Sequence, residues 1–457
     1  MCKNNPFFLH FRETGINPLH RGFYTVMAAQ FFSALADNAI LIAAFALLEE
    51  THAPEAMRPM LKLFFFFSYV ALAAFVGAFA DSQPKGRVMF LANAVKFIGG
   101  VLMLATPHPL LAYAVIGFGA AAYSPAKYGI ITEMLPPERL VAANGWIETL
   151  TIGAVVFGAL LGGVLVSTRF ASLAAPYTAT LHWSLAHMAI ALVCLLYGIA
   201  ALINLAIPDT GVRYAPQQHT PAKLLADFGH CLRVLWRDKL GQISLAVTTL
   251  FWGAGATLQL LVIAWAKDAL HMGLARAAIL QAVTAIGVAA GAIAAASVVS
   301  LRRSLRVLPV GVMMGVVVVL VAAVDFRAFP AGGIHVAALH LDWALLAAIG
   351  LMLLVGAMAG FFVVPMNALL QHRGYVLLSA GHSIAVQNFN ENLGILAMSG
   401  IYAALLSLGM SARSSMILFG VFVSGTMALV ILRHRQNQRR FDSEALIGDS
   451  HHGICSE

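Results

Sequence analysis

The chain has 457 residues, of which 60% are hydrophobic and only 11% charged, and its formal net charge is +8. Soluble domains carry roughly 25% charged residues, so this composition excludes an ordinary soluble fold and indicates an all-α polytopic membrane protein with spans of about 20 residues. The four cysteines, Cys2, Cys194, Cys231 and Cys455, lack CxxC or zinc-ligand spacing, which implies neither a disulfide framework nor a metal site.

The cytoplasmic N-terminal segment, 1–21, is polar and mixed, without the basic stretch, short apolar core and small-residue cleavage site of a signal peptide. Apolar runs of spanning length follow at 22–48, 60–80, 88–106, 109–131, 140–167, 181–207, 241–266, 277–300, 306–324, 343–370, 380–408 and 412–432. They predict twelve transmembrane helices in two six-helix bundles, 22–207 and 241–432. A polar connector, 208–240, joins the bundles, and its stretch LLADFGHCLRVLW has the periodicity of an amphipathic helix on the membrane surface. A cytoplasmic tail, 433–457, follows. Of the 28 Lys and Arg residues, 20 fall on the side of the N-terminus, seven on the other, and Lys96 lies within a span. The positive-inside rule therefore puts both termini in the cytoplasm. The net charge reports topology, and no nucleic-acid partner is expected.

Polar residues interrupt these spans. The first, FFSALADNAILIAAFALL, carries Asp37 and Asn38. A charge at the bilayer centre costs roughly 2.5–3.5 kcal/mol on insertion scales, so it should face protein or water and have a partner. Asp37 lies about 16 residues beyond Arg21, roughly 24 Å along a helix axis, past the midplane. The loop after the second span, GAFADSQPKGR, offers Gly77, Asp81, Gly86 and Arg87 as a cytoplasmic gate, or simply as a short positive-inside loop with a charge pair. The phenylalanines 64–67 in that span read as packing and lipid-facing surface. Lys96, eight residues into the third span, is expected to snorkel to the interface.

The fourth and tenth spans carry an internal repeat. GFGAAAYSPAKYG and GFFVVPMNALL each place a Pro after a Gly (Gly119 and Pro125; Gly360 and Pro365) and a polar residue two later, Lys127 or Asn367. Asn144 and Glu148 share a face of the fifth span, and Gln387, Asn388 and Glu391 make a similar stripe in the eleventh. Such stripes bind substrate or act as interhelical glue. The first and seventh spans correspond through FFSALADN and LFWGAGAT, which sets Asp37 opposite the uncharged Thr257. Repeats of this kind predict a path between the halves, here with an asymmetric site.

The loop GAFADSQPKGR resembles the gate loop of the major facilitator superfamily, with two extra residues between Asp81 and Gly86. Together, AQFFSALADNAIL (29–41), GAFADSQPKGRVM (77–89), GAAAYSPAKYGI (119–130), LFWGAGATL (250–258), GFFVVPMNALLQHRG (360–374) and AVQNFNEN (385–392) resemble the bacterial lysophospholipid transporter family within it. The resemblance implies the major facilitator fold and no cofactor. It also implies a flippase that moves lysophospholipids, such as lysophosphatidylethanolamine, from the outer to the inner leaflet of the bacterial inner membrane. There a partner acyltransferase–acyl carrier protein synthetase re-acylates them. None of the histidines is followed five positions later by Asp, as an HxxxxD acyltransferase site requires, so that enzyme is expected to be a separate protein.

Asp37, with Asn38 beside it, is expected to meet an ethanolamine ammonium or a coupling cation, or else to serve as a structural partner for a polar group on a neighbouring helix. Lys127 is expected to attract the phosphate or to pair with Glu133 or Glu148 at the gate. Asn144, Glu148, Asn367, Gln387, Asn388 and Glu391 are expected to contact glycerol and headgroup. The resemblance further implies a basic residue shortly after the FWGAG string, where this chain has Gln259. An exporter of small amphipathic drugs or siderophores is the alternative within transport. A membrane-embedded hydrolase or acyltransferase is opposed by the lack of GxSxG, HExxH and HxxxxD strings.

Overall fold

The computed structural model describes residues 18–54, 57–106, 108–214, 220–270, 272, 274–330, 332–336 and 339–448. Most of the expected N-terminal segment and the last part of the tail lie outside these residues. The helices are α1 (Pro18–Glu50), α2 (Met57–Ser82), α3 (Lys85–Ala105), α4 (Pro109–Met134), α5 (Leu140–Leu165), α6 (Thr168–Leu181), α7 (Leu185–Leu205), α8 (Pro221–Arg237), α9 (Gly241–Leu270), α10 (Leu274–Val298), α11 (Leu308–Ala323), α12 (Trp343–Leu377), α13 (Ala380–Ser407) and α14 (Ala412–Arg440).

Among the described residues, eleven helices are long and apolar enough to cross a membrane: α1 to α5, α7, α9 to α12 and α14, with α5 and α11 each counted with the short 3-10 turn before it. The remaining expected span is α13, whose 28 residues would measure about 42 Å. Its first half, AGHSIAVQNFNEN, is too polar to resemble a lipid-facing helix. These side chains are instead buried where α13 packs against α2, α4 and α9, as unpaired polar groups in hydrocarbon would demand.

Two elements were not foreseen. The sixth span begins at Leu185, because a separate helix, α6, precedes it. Ser167 caps α6 by accepting from the Phe170 N–H at 3.3 Å, and His182, in the left-handed region at φ 53°, ends it. Ser184 then starts α7 by accepting from the His187 N–H. Between α11 and α12 lies an antiparallel hairpin of β1 (Gly333–Val336) and β2 (Leu339–Asp342).

In the first half, α1 packs on α5 and α7, α3 on α4 and α7, and α2 on α4. In the second, α10 packs on α12, α11 on α14, and α9 on α13 and α14. The halves meet through α2 and α4 against α13, and through α5 against α10 and α12. Small residues permit the closest approaches: a Cβ on Gly291 would collide with the Ala357 carbonyl oxygen, and one on Gly360 with that of Val288. The connector helix α8 buries Phe228, Cys231 and Leu235 along one face. Its Trp236 Nε1 donates to Asn390 Oδ1 of α13 at 3.2 Å.

Candidate transport site and gate

Helices α1 to α5 surround a cavity of about 330 Å³. Its wall includes Asp37, Asn38 and Leu41 of α1, Lys62, Phe65, Phe66 and Tyr69 of α2, Lys96 of α3, Tyr113, Tyr123, Ser124 and Lys127 of α4, and Thr151 of α5. Among the described residues, all that line it belong to the first half, whereas the repeat predicted a path lined by both.

Asp37 is not alone. Its Oδ2 lies 2.7 Å from Lys96 Nζ, and its Oδ1 accepts from the Tyr197 hydroxyl at 2.8 Å. Lys96 also donates to Ser33 Oγ at 3.0 Å, and Ser33 donates to Asn93 Oδ1 at 2.8 Å. The ammonium sits over the rings of Tyr123 and Tyr197, 5.0 and 5.7 Å from their centroids. Lys96 therefore does not snorkel: it is 1% exposed. Pairing neutralises two charges that would each be costly alone in the membrane. Within the pair only the Asp37 side chain keeps appreciable exposure, 20% against 2% for Lys96. Asn38 lines the same wall and donates to the Ala34 carbonyl oxygen at 2.8 Å.

Lys127 lies deeper on α4, buried over the ring of Tyr128 at 4.0 Å. Among the described residues no carboxylate comes within 4.0 Å of it, so neither gate pairing considered from the sequence is formed. Glu148 and Glu391 act on it electrostatically from farther away. The Tyr123 hydroxyl is buried without a hydrogen-bond partner among the described residues. A buried polar group left in this way is unusual.

The other expected contacts sit elsewhere. Asn144 and Gln371 exchange both amide hydrogen bonds, at 2.8 and 2.9 Å, across the α5–α12 interface. Asn144 therefore holds the halves together and is no cavity group, because its second proton is also used, on the Leu140 carbonyl oxygen. Gln387 Nε2 donates to Asn367 Oδ1 at 3.1 Å and to Glu391 Oε1 at 2.8 Å. Ser124 donates to Asn388 Oδ1 at 3.3 Å, joining α4 to α13. None of Asn144, Glu148, Asn367, Gln387, Asn388 or Glu391 lines the cavity. Gln259 is exposed, and its backbone carbonyl accepts from Gln281; it too is absent from the cavity wall.

The candidate gate lies where α2 ends. Asp81 accepts from Lys85 Nζ at 2.7 Å, from the Ser379 hydroxyl, and from the Gly381 and His382 N–H groups at 2.9 and 3.2 Å, with His382 Nδ1 at 3.0 Å. A first-half carboxylate thus satisfies the open N–H groups at the start of the second-half helix α13, where the helix dipole favours negative charge. Gly77 permits the contact: a Cβ there would stand 3.0 Å from that of Ala385. Arg87, the basic residue expected in this latch, is exposed and without a carboxylate within 4.0 Å among the described residues. Lys85 takes its place: it opens α3, four residues beyond Asp81, and its side chain is buried against that carboxylate. Gly86 lies against α7, where a Cβ would meet the Asn204 carbonyl oxygen at 3.0 Å.

Lys85 also approaches Glu133 of α4 at 3.4 Å. Glu133 in turn accepts from Thr210 and Tyr214, at 2.7 and 2.8 Å, so the start of the connector is strapped onto the gate. Beside it Arg213 hydrogen-bonds Asp209 at 2.9 and 2.6 Å and holds its carboxyl below the usual carboxylate range. The second half has its own latch at this end. Arg373 of α12 donates to both oxygens of Asp238, each at 3.0 Å, while Asp238 accepts from the Gly241 N–H at the start of α9.

A helical membrane protein whose halves are latched at one end, with a charged cavity above the latch, has the architecture of a major facilitator transporter. The family model described as Major Facilitator Superfamily matches residues 26–399. Two similar relatives, each named lysophospholipid transporter LplT, come from Yersinia enterocolitica, 41% identical over 86% of this chain and 89% of the relative, and Klebsiella pneumoniae, 38% identical over 91% and 97%. The chain belongs to the major facilitator superfamily and, within it, to the lysophospholipid transporter family. Solved structures with the same fold include the human organic anion transporter MFSD10 (TETRAN), with 15% identity, 92% of this chain and 100% of that chain covered and a TM-score of 0.67. Another is FucP in the outward conformation, with 13% identity, 91% and 98% coverage and a TM-score of 0.64.

Proposed function

We propose that this chain is a secondary transporter that flips lysophospholipids, lysophosphatidylethanolamine among them, from the outer to the inner leaflet of the bacterial inner membrane. In this reading the termini and the latched end face the cytoplasm. The bundles 22–207 and 241–432 rock about the cavity, joined by the connector 208–240. The delivered lipid is re-acylated by a separate acyltransferase–acyl carrier protein synthetase. The names of the relatives support the substrate class.

The carrying observation is the charge arrangement of one cavity: a part-exposed carboxylate, Asp37, paired with Lys96, and a deeper ammonium, Lys127, with no carboxylate within 4.0 Å among the described residues. A phosphoethanolamine headgroup needs an anion for its ammonium and a cation for its phosphate. Lys127 supplies the cation through charge-assisted hydrogen bonds. Asp37 supplies the anion by sharing itself between Lys96 and the ligand. Leaving a buried charge without its partner costs roughly 3–5 kcal/mol, so Asp37 keeps Lys96 on one oxygen while its exposed side takes the ligand ammonium. Asn38, on the next position of α1, adds an amide to the same wall. Glu148, Asn367, Gln387, Asn388 and Glu391 then act as the polar seam on which the second half closes, and release of the Asp81 latch opens the inner path.

The test is reconstitution into proteoliposomes with labelled lysophosphatidylethanolamine in the outer leaflet. Inward movement is expected to exceed that of protein-free vesicles. Equal rates with correctly inserted protein would overturn the reading.

A further inference from the structure

The cavity holds a third ammonium, which neither the gate nor the headgroup site uses. Lys62, Phe65, Phe66 and Tyr69 all line it, and their spacing of three, four and seven residues puts them on one face of α2. Lys62 is exposed and lies farthest from the latch, while Phe65 and Phe66 are half-buried. Among the described residues no carboxylate comes within 4.0 Å of Lys62.

Packing fixes the levels of these groups. A Cβ on Gly117 of α4 would stand 3.0 Å from Phe65 Cα, so α2 and α4 touch there; one on Gly119 would stand 2.7 Å from Lys96 Cγ. Both helices run towards the latch. Lys62 precedes Phe65 by three residues, and Lys127 follows Gly117 by ten, which separates the two ammonium groups by about 20 Å along the cavity. The Asp37–Lys96 pair lies between them. Charges in water are screened beyond about 8 Å at physiological ionic strength. An anion at the mouth therefore meets Lys62 first and feels it far more strongly than Lys127, about 20 Å deeper.

We propose that Lys62 is an outer capture station for the phosphate of a single-chain phospholipid, and that Phe65, Phe66 and Tyr69 form the track along which the lipid descends to a second station at Lys127. The inference rests on the lysophospholipid reading above. The Tyr123 hydroxyl, without a hydrogen-bond partner among the described residues and one turn before Lys127 on α4, supplies a further donor at the second station. The two stations divide the work. A part-exposed cation attracts and releases quickly, and a buried one holds. The aromatic track takes the acyl chain while the headgroup passes between them, so a phosphate and a single chain are recognised together.

The experiment measures initial rates of lysophosphatidylethanolamine uptake in proteoliposomes for the wild type, Lys62→Gln and Lys62→Arg, at low and high salt. Lys62→Gln is expected to raise KM by about two- to fivefold, the range of a part-exposed ion pair, with kcat unchanged. Lys62→Arg keeps the wild-type KM. At about 1 M salt, where screening acts within about 3 Å, the wild type and Lys62→Gln converge. Inhibition by a monoacylglycerol, which has no phosphate, is the same in all three. An unchanged KM in Lys62→Gln, or an equal salt dependence in both proteins, overturns the capture station while leaving the transport reading intact. A wild type that moves no lysophosphatidylethanolamine overturns both.

Discussion

Asp37 and Asp81 are both membrane-helix acids paired with a lysine, yet their surroundings have little else in common. Asp81 has no exposed side-chain surface, and its two oxygens receive Lys85, Ser379, His382 and two backbone N–H groups, most of them from the other half of the molecule. Among the described residues Asp37 receives Lys96 and Tyr197, both from its own half, and it keeps a fifth of its side-chain surface open to a cavity. The difference separates two uses of one chemistry. A carboxylate with every acceptor position occupied across an interface serves as a fastener. One with partners on one side and space on the other is, in the function proposed above, open to exchange with a ligand.

The fastener should fail with the larger effect. Removing one partner of a buried ion pair costs roughly 3–5 kcal/mol, so Asp81→Asn should shift the latched conformation towards an open one by two orders of magnitude or more. A cysteine introduced at Ile384, 1% exposed on α13, should then react far faster with a water-soluble maleimide than in the otherwise unchanged protein. Equal labelling would mean that the latch is held elsewhere.

The exchangeable acid should lose transport more than structure. Asp37→Asn should insert and fold, with lower thermal stability because Lys96 is left charged and buried, and should transport at least about tenfold more slowly. Adding Lys96→Met should recover the thermal stability without the transport. Recovery of both together would return Asp37 to a structural role.

The smallest effect belongs to the seam between the halves. Asn144→Ala and Gln371→Ala should each cost about 1 kcal/mol, the net value of a neutral hydrogen bond, and the double variant should be less destabilised than the sum of the singles. KM for lysophosphatidylethanolamine should stay constant. A raised KM in Asn144→Ala would move that amide into the substrate path.

Much of this contrast is visible in the sequence, because hydropathy and Lys/Arg placement depend on the bilayer and not on packing detail. The spans, the loop containing Asp81 and the isolated acid at position 37 are of this kind. Partner choice is not. Lys96 has the long apolar stem that suits snorkelling, and only the arrangement of α1 beside α3 shows that Asp37 is nearer than the interface. The signal was nevertheless present: one basic residue stranded in a span needs an equally stranded acid. Lys85 and Arg87 are both plausible gate cations by spacing, and the rotation of α3 decides between them. Asn144 and Asn38 are indistinguishable in polarity, but one faces α12 and the other faces the cavity. The run of phenylalanines 64–67 reads as lipid-facing grease until the turn of α2 directs Phe65 and Phe66 inward. The polarity of α13 carries information too, since a span that lipid would reject must be surrounded by protein.

Thr210 and Tyr214 anchor the connector to the first half through Glu133, and Trp236 anchors it to the second through Asn390. The connector is thus tied to both halves at the latched end, so parting of the halves there strains the connector's own anchors as well as the Asp81 latch.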